Sequence, residues 1–227
     1  MKHVRVPFLT VKEIERSAEE MLARYSTVRG PLNGAVDVDF VIERLLGLDL
    51  GVIDLKGLLG NPDVLGATVV DQKRVYVDQS LEQTPGRFAF TLAHEVGHWV
   101  LHRPHLAMHP KGSALFDVSE FIEPQPGFGP GRKPQVEWQA DQFAACLLMP
   151  GRLVRAAVHD AFGGRLPTWE GIQSRLQARV PDPTFIDVAA QVIAAGSFDN
   201  VSNTAMRIRL LDLKLVVDAS DPQRSLF

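Results

Sequence analysis

Residues His94-Glu95-Val96-Gly97-His98 place two imidazoles four positions apart with a carboxylate beside the first. The surrounding pattern is helical. Thr84 is a good N-cap and Pro85 suits the first helical position. Phe88, Leu92, Val96, Trp99 and Val100 recur at helical steps, and Arg103-Pro104 is the expected stop after His102. On such a helix His94 and His98 share a face and can direct their rings at one metal ion. Glu95 is rotated by about 100° from His94, and its arm is long enough to reach a water on that metal. Two nitrogen ligands and a carboxylate, with one position open to water, suit Zn2+. The same residues on a solvated helix face would have no chemistry at all. A third ligand from elsewhere in the chain separates the two readings.

One source of that ligand is the longer spacing H-E-x-x-H-x-x-G-x-x-H, which fails because Leu101 stands at the glycine position and Pro104 at the last histidine. The other is a glutamate on a later helix. In Glu137-Trp138-Gln139-Ala140-Asp141 the two carboxylates are four apart, on one face. Glu137 can bind the metal while Asp141 accepts the outer N–H of a metal-bound histidine, fixing its tautomer. Ala140 and Ala144 are small enough to let the two helices approach closely.

The remainder of the chain frames these two helices. Thr10 and Glu13 form a capping box, and Val11, Ile14, Ala18, Met21, Leu22 and Tyr25 follow at helical steps. Asp37 caps a second helix that Gly47 stops, and Leu48 to Asp54 reads as a strand. Residues 67–70 and 74–77 read as a hairpin around Asp71-Gln72-Lys73. Residues 103–134 form a long connection, rich in proline and glycine from Pro124 on, and a helix resumes over about 135–149. The last third reads as helices at about 151–161, 167–179, 183–195 and 202–213. Its part at about 186–213, followed by Leu215-Val216-Val217, resembles a helix-turn-helix with a trailing strand. The expected division is a catalytic domain over 1–150 and a helical subdomain over 151–227, with α+β architecture.

Composition narrows the function classes. At 227 residues the chain can bury a core without staples. One cysteine, Cys146, excludes an internal disulfide framework and reads as a small buried hydrophobe. A net charge of -3 does not support coating nucleic acid or anionic membrane by bulk charge. No secretory leader pattern and no membrane-spanning run is read, so a cytoplasmic location is expected.

RFAFTLAHEVGHWVLH followed by EWQADQFAACLLMP resembles the ImmA/IrrE metallo-endopeptidases. The hairpin GATVVDQKRVYVDQS and the later VSNTAMRIRL are similar to that family's strand pair and to its helical segment beyond the catalytic core. The likeness covers about 35–213 and is strongest over 87–102 and 137–150. It implies a small zincin-like fold with helices on a short mixed sheet, and a gluzincin-type site. In that site His94, His98 and Glu137 are the metal ligands, Glu95 the general base, and Asp141 the partner of a ligand histidine. It implies cleavage of a helix-turn-helix transcriptional repressor, relieving repression for mobile elements or in stress responses. Two departures stand out. The family often has E-x-E-A where Gln139 stands here, and the connection from His98 to Glu137 is longer than usual and reads as a surface insertion.

Other residues carry less. His102 is expected to pack or hydrogen-bond near the site, and His105 and His109 to be solvated. Tyr76, on the strand before the active helix, is a weak choice for an oxyanion contact. Arg207, Arg209 and Lys214 do not form a basic stripe, so direct DNA binding is the minor expectation for the C-terminal helices. The competing function is a catalytically weak zinc-binding regulator that sequesters a repressor or binds DNA. The presence of Glu95 argues against it, since a structural zinc site needs no base and usually has four protein ligands.

Overall fold

The computed structural model describes residues 6–106, 116–117, 134–172 and 183–219. They divide into two units, one of residues up to Leu32 with Val36–Leu148, the other of Asn33–Ala35 with Met149 onward.

The first unit begins with α1 (Val11–Arg29). Its capping box forms as read: Glu13 N–H donates to Thr10 Oγ1 at 3.3 Å, and Thr10 N–H donates to Glu13 Oε2 at 2.7 Å. Ile14, Ala18, Met21, Leu22 and Tyr25 make its buried stripe. Asp37 caps α2 (Val38–Phe40), which widens into a π-helical turn over Val41–Leu45. Gly47, at φ +64°, turns the chain into β1 (Asp49–Ile53). The short α3 (Leu55–Leu59) leads to β2 (Gly66–Val69) and β3 (Arg74–Asp78). The hairpin turns through Lys73 at φ +52°. With β4 (Phe116–Asp117) these make a mixed sheet in the order β1-β3-β2-β4, where β1 runs parallel to β3 and the other pairs are antiparallel.

A 3-10 turn (Gln79–Leu81) carries the chain from β3 into α4 (Pro85–Gly97). Pro85 opens the helix as expected, but Thr84 does not cap it through its side chain. Its hydroxyl donates to Leu81 O at 3.0 Å instead, because the preceding turn offers that carbonyl first. Nor does the helix end at Arg103-Pro104. It widens into a π-helical turn over His98–His102 and continues as α5 (Arg103–Leu106). Pro104 falls in the first turn of that segment, where no N–H is demanded of it. Of the long connection, 107–115 and 118–133 lie outside the described residues. α6 (Gln135–Leu148) then packs against both α4 and α1.

Asp78 joins the sheet to the helices. It is buried at the end of β3, where its carboxylate accepts from the N–H of Lys56 and the N–H of Ser80, each at 3.0 Å, and from the Ser80 hydroxyl. Burial alone would raise its pKa. The Ser80 hydroxyl and the two backbone donors overcome that and hold the carboxyl at about 2, below its ordinary 3.8. A depressed folded pKa means stability that is present above pH 3.8 and lost as pH falls towards 2. Asp78→Ala is therefore expected to cost about 1–2 kcal/mol at neutral pH, by removing the acceptor shared by these part-buried donors. It also flattens that stretch of the acid limb. Urea melts at pH 7 and pH 3 check both, and a difference from wild type that is the same at the two pH values would remove Asp78 from this role.

The second unit opens with α7 (Gly151–Phe162), closed by Gly163 at φ +60°. α8 (Pro183–Ala195) and α9 (Asn203–Asp212) follow, with Ser202 capping α9 through a 3.2 Å bond from Ala205 N–H. The helix expected over 167–179 does not include 168–171. Thr168–Trp169 forms β5, paired in parallel with β6 (Val217–Asp218), and 173–182 lie outside the described residues. The reason is non-local. Trp169 packs on Phe185 with ring centroids 4.2 Å apart, and the Asp218 carboxylate accepts from the N–H groups of Gly171 and Ile172 at 3.0 and 2.8 Å. Arg209 of α9 is buried, donating to Met149 O at 3.0 Å, and Arg207 lies over the Phe185 ring. Arg209 is thus a core residue and offers no surface charge. Among the described residues, no helix is long and apolar enough to cross a membrane.

Candidate metal centre

α4 and α6 meet at Gly97. A Cβ there would lie 3.1 Å from Ala140 Cα and 3.2 Å from Phe143 Cβ, so the absent side chain sets how closely the helices approach. Ala140 and Ala144 are both buried along α6, as their size suggests. This close contact delivers Glu137 from the first turn of α6 to the two histidines of α4.

His94, His98 and Glu137 are buried, and their ligand atoms lie within 4.8 Å of one another. His94 Nε2 is 3.0 Å from His98 Nε2 and 3.2 Å from Glu137 Oε2, and His98 Nε2 is 3.5 Å from Glu137 Oε1. A tetrahedron with arms of 2.0–2.1 Å has an edge of about 3.3 Å, so the three atoms are spaced as zinc ligands are. Glu137 is 1% exposed, yet its Oε2 accepts no hydrogen bond. A buried carboxylate oxygen left in that state is costly unless a cation satisfies it. Two imidazole nitrogens, a carboxylate and this orphaned oxygen fit a borderline-soft divalent ion.

The surrounding groups set the charges. Asp141 Oδ1 lies 2.8 Å from His94 Nδ1. Burial disfavours a charged His94, but the Asp141 and Glu137 carboxylates outweigh it and push the imidazole up to about 10. Burial likewise works against the Glu137 carboxylate, and the adjacent His94 and His98 rings overcome it, holding the group at about 2. Glu95 is 1% exposed, and burial raises its pKa despite the nearby imidazoles. Its Oε2 accepts from Thr68 Oγ1 at 2.7 Å. Gly66 leaves the room this carboxylate needs, since a Cβ there would lie 2.7 Å from Glu95 Oε1.

His102 packs and hydrogen-bonds beside the site. Its Nδ1 lies 3.0 Å from His98 Nδ1 and its Nε2 lies 2.9 Å from Gln139 Oε1. Burial and the neighbouring His98 lower its pKa to about 4. Tyr76 is not brought to this cluster. It pairs with Ala67 across the hairpin, so the two share a sheet face, while Thr68 reaches Glu95 from the other. The Tyr76 ring covers Gly51, and its hydroxyl accepts from Arg74 at 3.3 Å. Cys146 is buried, and His109 lies outside the described residues.

Thr68 and Gly66 are absent from the motif reading. Thr68 left a signal, being the one polar residue in the run Ala67-Thr68-Val69-Val70, and it is fully buried. Gly66 left none, because its role depends on which helix lies across β2.

An α+β unit with an H-E-x-x-H helix, a carboxylate on a following helix that completes a cluster able to hold a metal ion, and Glu95 held by the sheet is consistent with a small zincin-like domain. Residues 44–177, more than half of the chain, match the family model of peptidase M78, the IrrE N-terminal-like domain. The chain belongs to that family. No curated protein matches it.

Proposed function

We propose that the chain is a zinc-dependent endopeptidase whose substrate is a regulatory protein, a helix-turn-helix repressor encoded beside it. The observation that carries the peptidase reading is the convergence of His94, His98 and Glu137, with Glu95 buried at their side. The repressor follows from family resemblance alone. His94, His98 and Glu137 would hold the ion through Nε2, Nε2 and the carboxylate. Zinc in such a site supplies Lewis-acid polarisation of a carbonyl and acidifies water.

The chain's own groups do the rest. Thr68 donates to Glu95 Oε2 and so holds the carboxylate in one orientation, leaving Oε1 to take a proton from the attacking water and pass it to the leaving amine. Burial makes this carboxylate a stronger base than an exposed one. Asp141 holds His94 Nδ1, which leaves Nε2 to face the metal.

The test incubates the neighbouring repressor with zinc-loaded wild type and with Glu95→Gln, and reads intact masses. Fragments with wild type alone establish the repressor-cleaving peptidase. A stable complex with both forms and no fragments would replace it with a zinc-binding regulator that sequesters the repressor.

A further inference from the structure

Val6, Pro7 and Phe8, a short way ahead of α1, lie along the first turns of α6. Val6 O accepts from Gln135 Nε2 at 3.5 Å, and Pro7 O accepts from Gln139 Nε2 at 2.9 Å. The Phe8 ring lies parallel to Trp138 within 4°, centroids 6.4 Å apart, although Phe8 is 69% exposed. These are three contacts between successive residues of an arm and one helix. The arm precedes residues 44–177, which match the family. The middle contact touches a side chain that continues to the metal centre.

We propose that Pro7, Gln139 and His102 form a chain of oriented hydrogen bonds that sets the tautomer of His98, so that the N-terminal arm and the metal centre are coupled. A carbonyl oxygen can only accept, so the Gln139 atom facing Pro7 O is the NH2. The other end of the amide is then an acceptor, and it faces His102 Nε2 at 2.9 Å, which must carry the proton. His102 is 0% exposed and its Nε2–H is spent on Gln139, while a His98 that binds a metal through Nε2 carries its proton on Nδ1 and needs an acceptor there, so His102 Nδ1 presents the lone pair. His98 Nδ1, 3.0 Å away, must donate to it. The His98 proton is thereby fixed on Nδ1, and the bare Nε2 faces His94 and Glu137. Asp141 does the same for His94 with a charged acceptor. The second histidine receives a neutral acceptor whose orientation is set 132 residues away in sequence. His102 and Gln139 are positioning residues, and this role rests on the reading of His98 as a ligand.

The test uses the full chain, metal-free and zinc-loaded, with long-range proton–nitrogen NMR correlations on the histidine rings. The expected wild-type result is a proton on Nε2 of His102 and on Nδ1 of His98. Gln139→Met keeps the side-chain length and removes both polar ends. It is expected to give mixed His102 tautomers and to weaken zinc binding about 10–100-fold in chelator competition, with unchanged far-UV circular dichroism. Gln139→Glu keeps an acceptor for His102 and loses the donor to Pro7. It is expected to raise amide exchange at Phe8 and Leu9, and unchanged exchange there would show that Gln139 does not hold the arm through Pro7. A His102 proton on Nδ1, or a folded Gln139→Met variant with wild-type zinc affinity, overturns the proposal. A wild-type chain that binds no zinc would refute the metal-site reading instead, and the tautomers of the metal-free chain still decide the relay. The wild-type tautomers also decide it where Gln139→Met does not fold.

Discussion

Glu95→Gln is expected to lower kcat about 10²–10⁴-fold on any substrate the wild type cleaves, with zinc content and the thermal transition preserved. The amide is nearly the same size and still accepts from Thr68, which donates to Glu95 Oε2 at 2.7 Å. Packing in this buried pocket therefore survives. What is lost is the capacity to take a proton at the second oxygen, and no other described carboxylate is placed to substitute. Glu137 would be committed to the metal and is held at about 2, too weak a base. Asp141 is engaged by His94 Nδ1. Steady-state rates and metal analysis on the same preparation check the prediction. A variant that retains more than about a tenth of the wild-type rate would show that Glu95 is not the general base, since a positioned base contributes at least about 10²-fold.

His94→Ala is expected to weaken zinc binding by at least about 10³-fold, on the order of 4 kcal/mol. This ring has two partners besides the metal. Its loss takes one ligand from three, and also strips Asp141 Oδ1 and Glu137 Oε2 of the imidazole 2.8 and 3.2 Å away. Two buried or half-buried carboxylates then face each other across a gap that favours protonation over metal binding. Chelator competition with a zinc-sensitive dye measures the change. Retention of one full equivalent at nanomolar free zinc would refute the ligand set. Asp141→Ala leaves all three ligands, and is expected to lower affinity only about 10–100-fold.

Much of the site was legible because its information is local. The spacing of His94 and His98 on a helix, and of Glu137 and Asp141 on another, places each pair on one face whatever the surroundings. The capping box at Thr10 and Glu13 is complete within four residues, and it formed as read. Where the reading failed, the deciding contact was distant. Residues 168–171 lie in a stretch that reads as helix but form a strand and a turn, because β6 and the Asp218 carboxylate arrive from nearly fifty residues on. The helix through His102 did not stop at Arg103-Pro104, because a π-helical turn carries it on.

The candidate site of this chain is therefore written into short spacings, and it can be read without a fold: two histidines on one face, a carboxylate beside them and a second carboxylate on a later helix. The groups that orient those side chains cannot. Thr68 meets Glu95 across 27 residues of sequence because β2 runs beneath α4. Pro7 meets Gln139 across 132 because the arm lies along α6. Helical periodicity assigns a residue to a face at the cost of one turn of chain. A hydrogen-bond partner for a buried ligand comes from whichever segment packs against that face, and packing is a property of the whole unit.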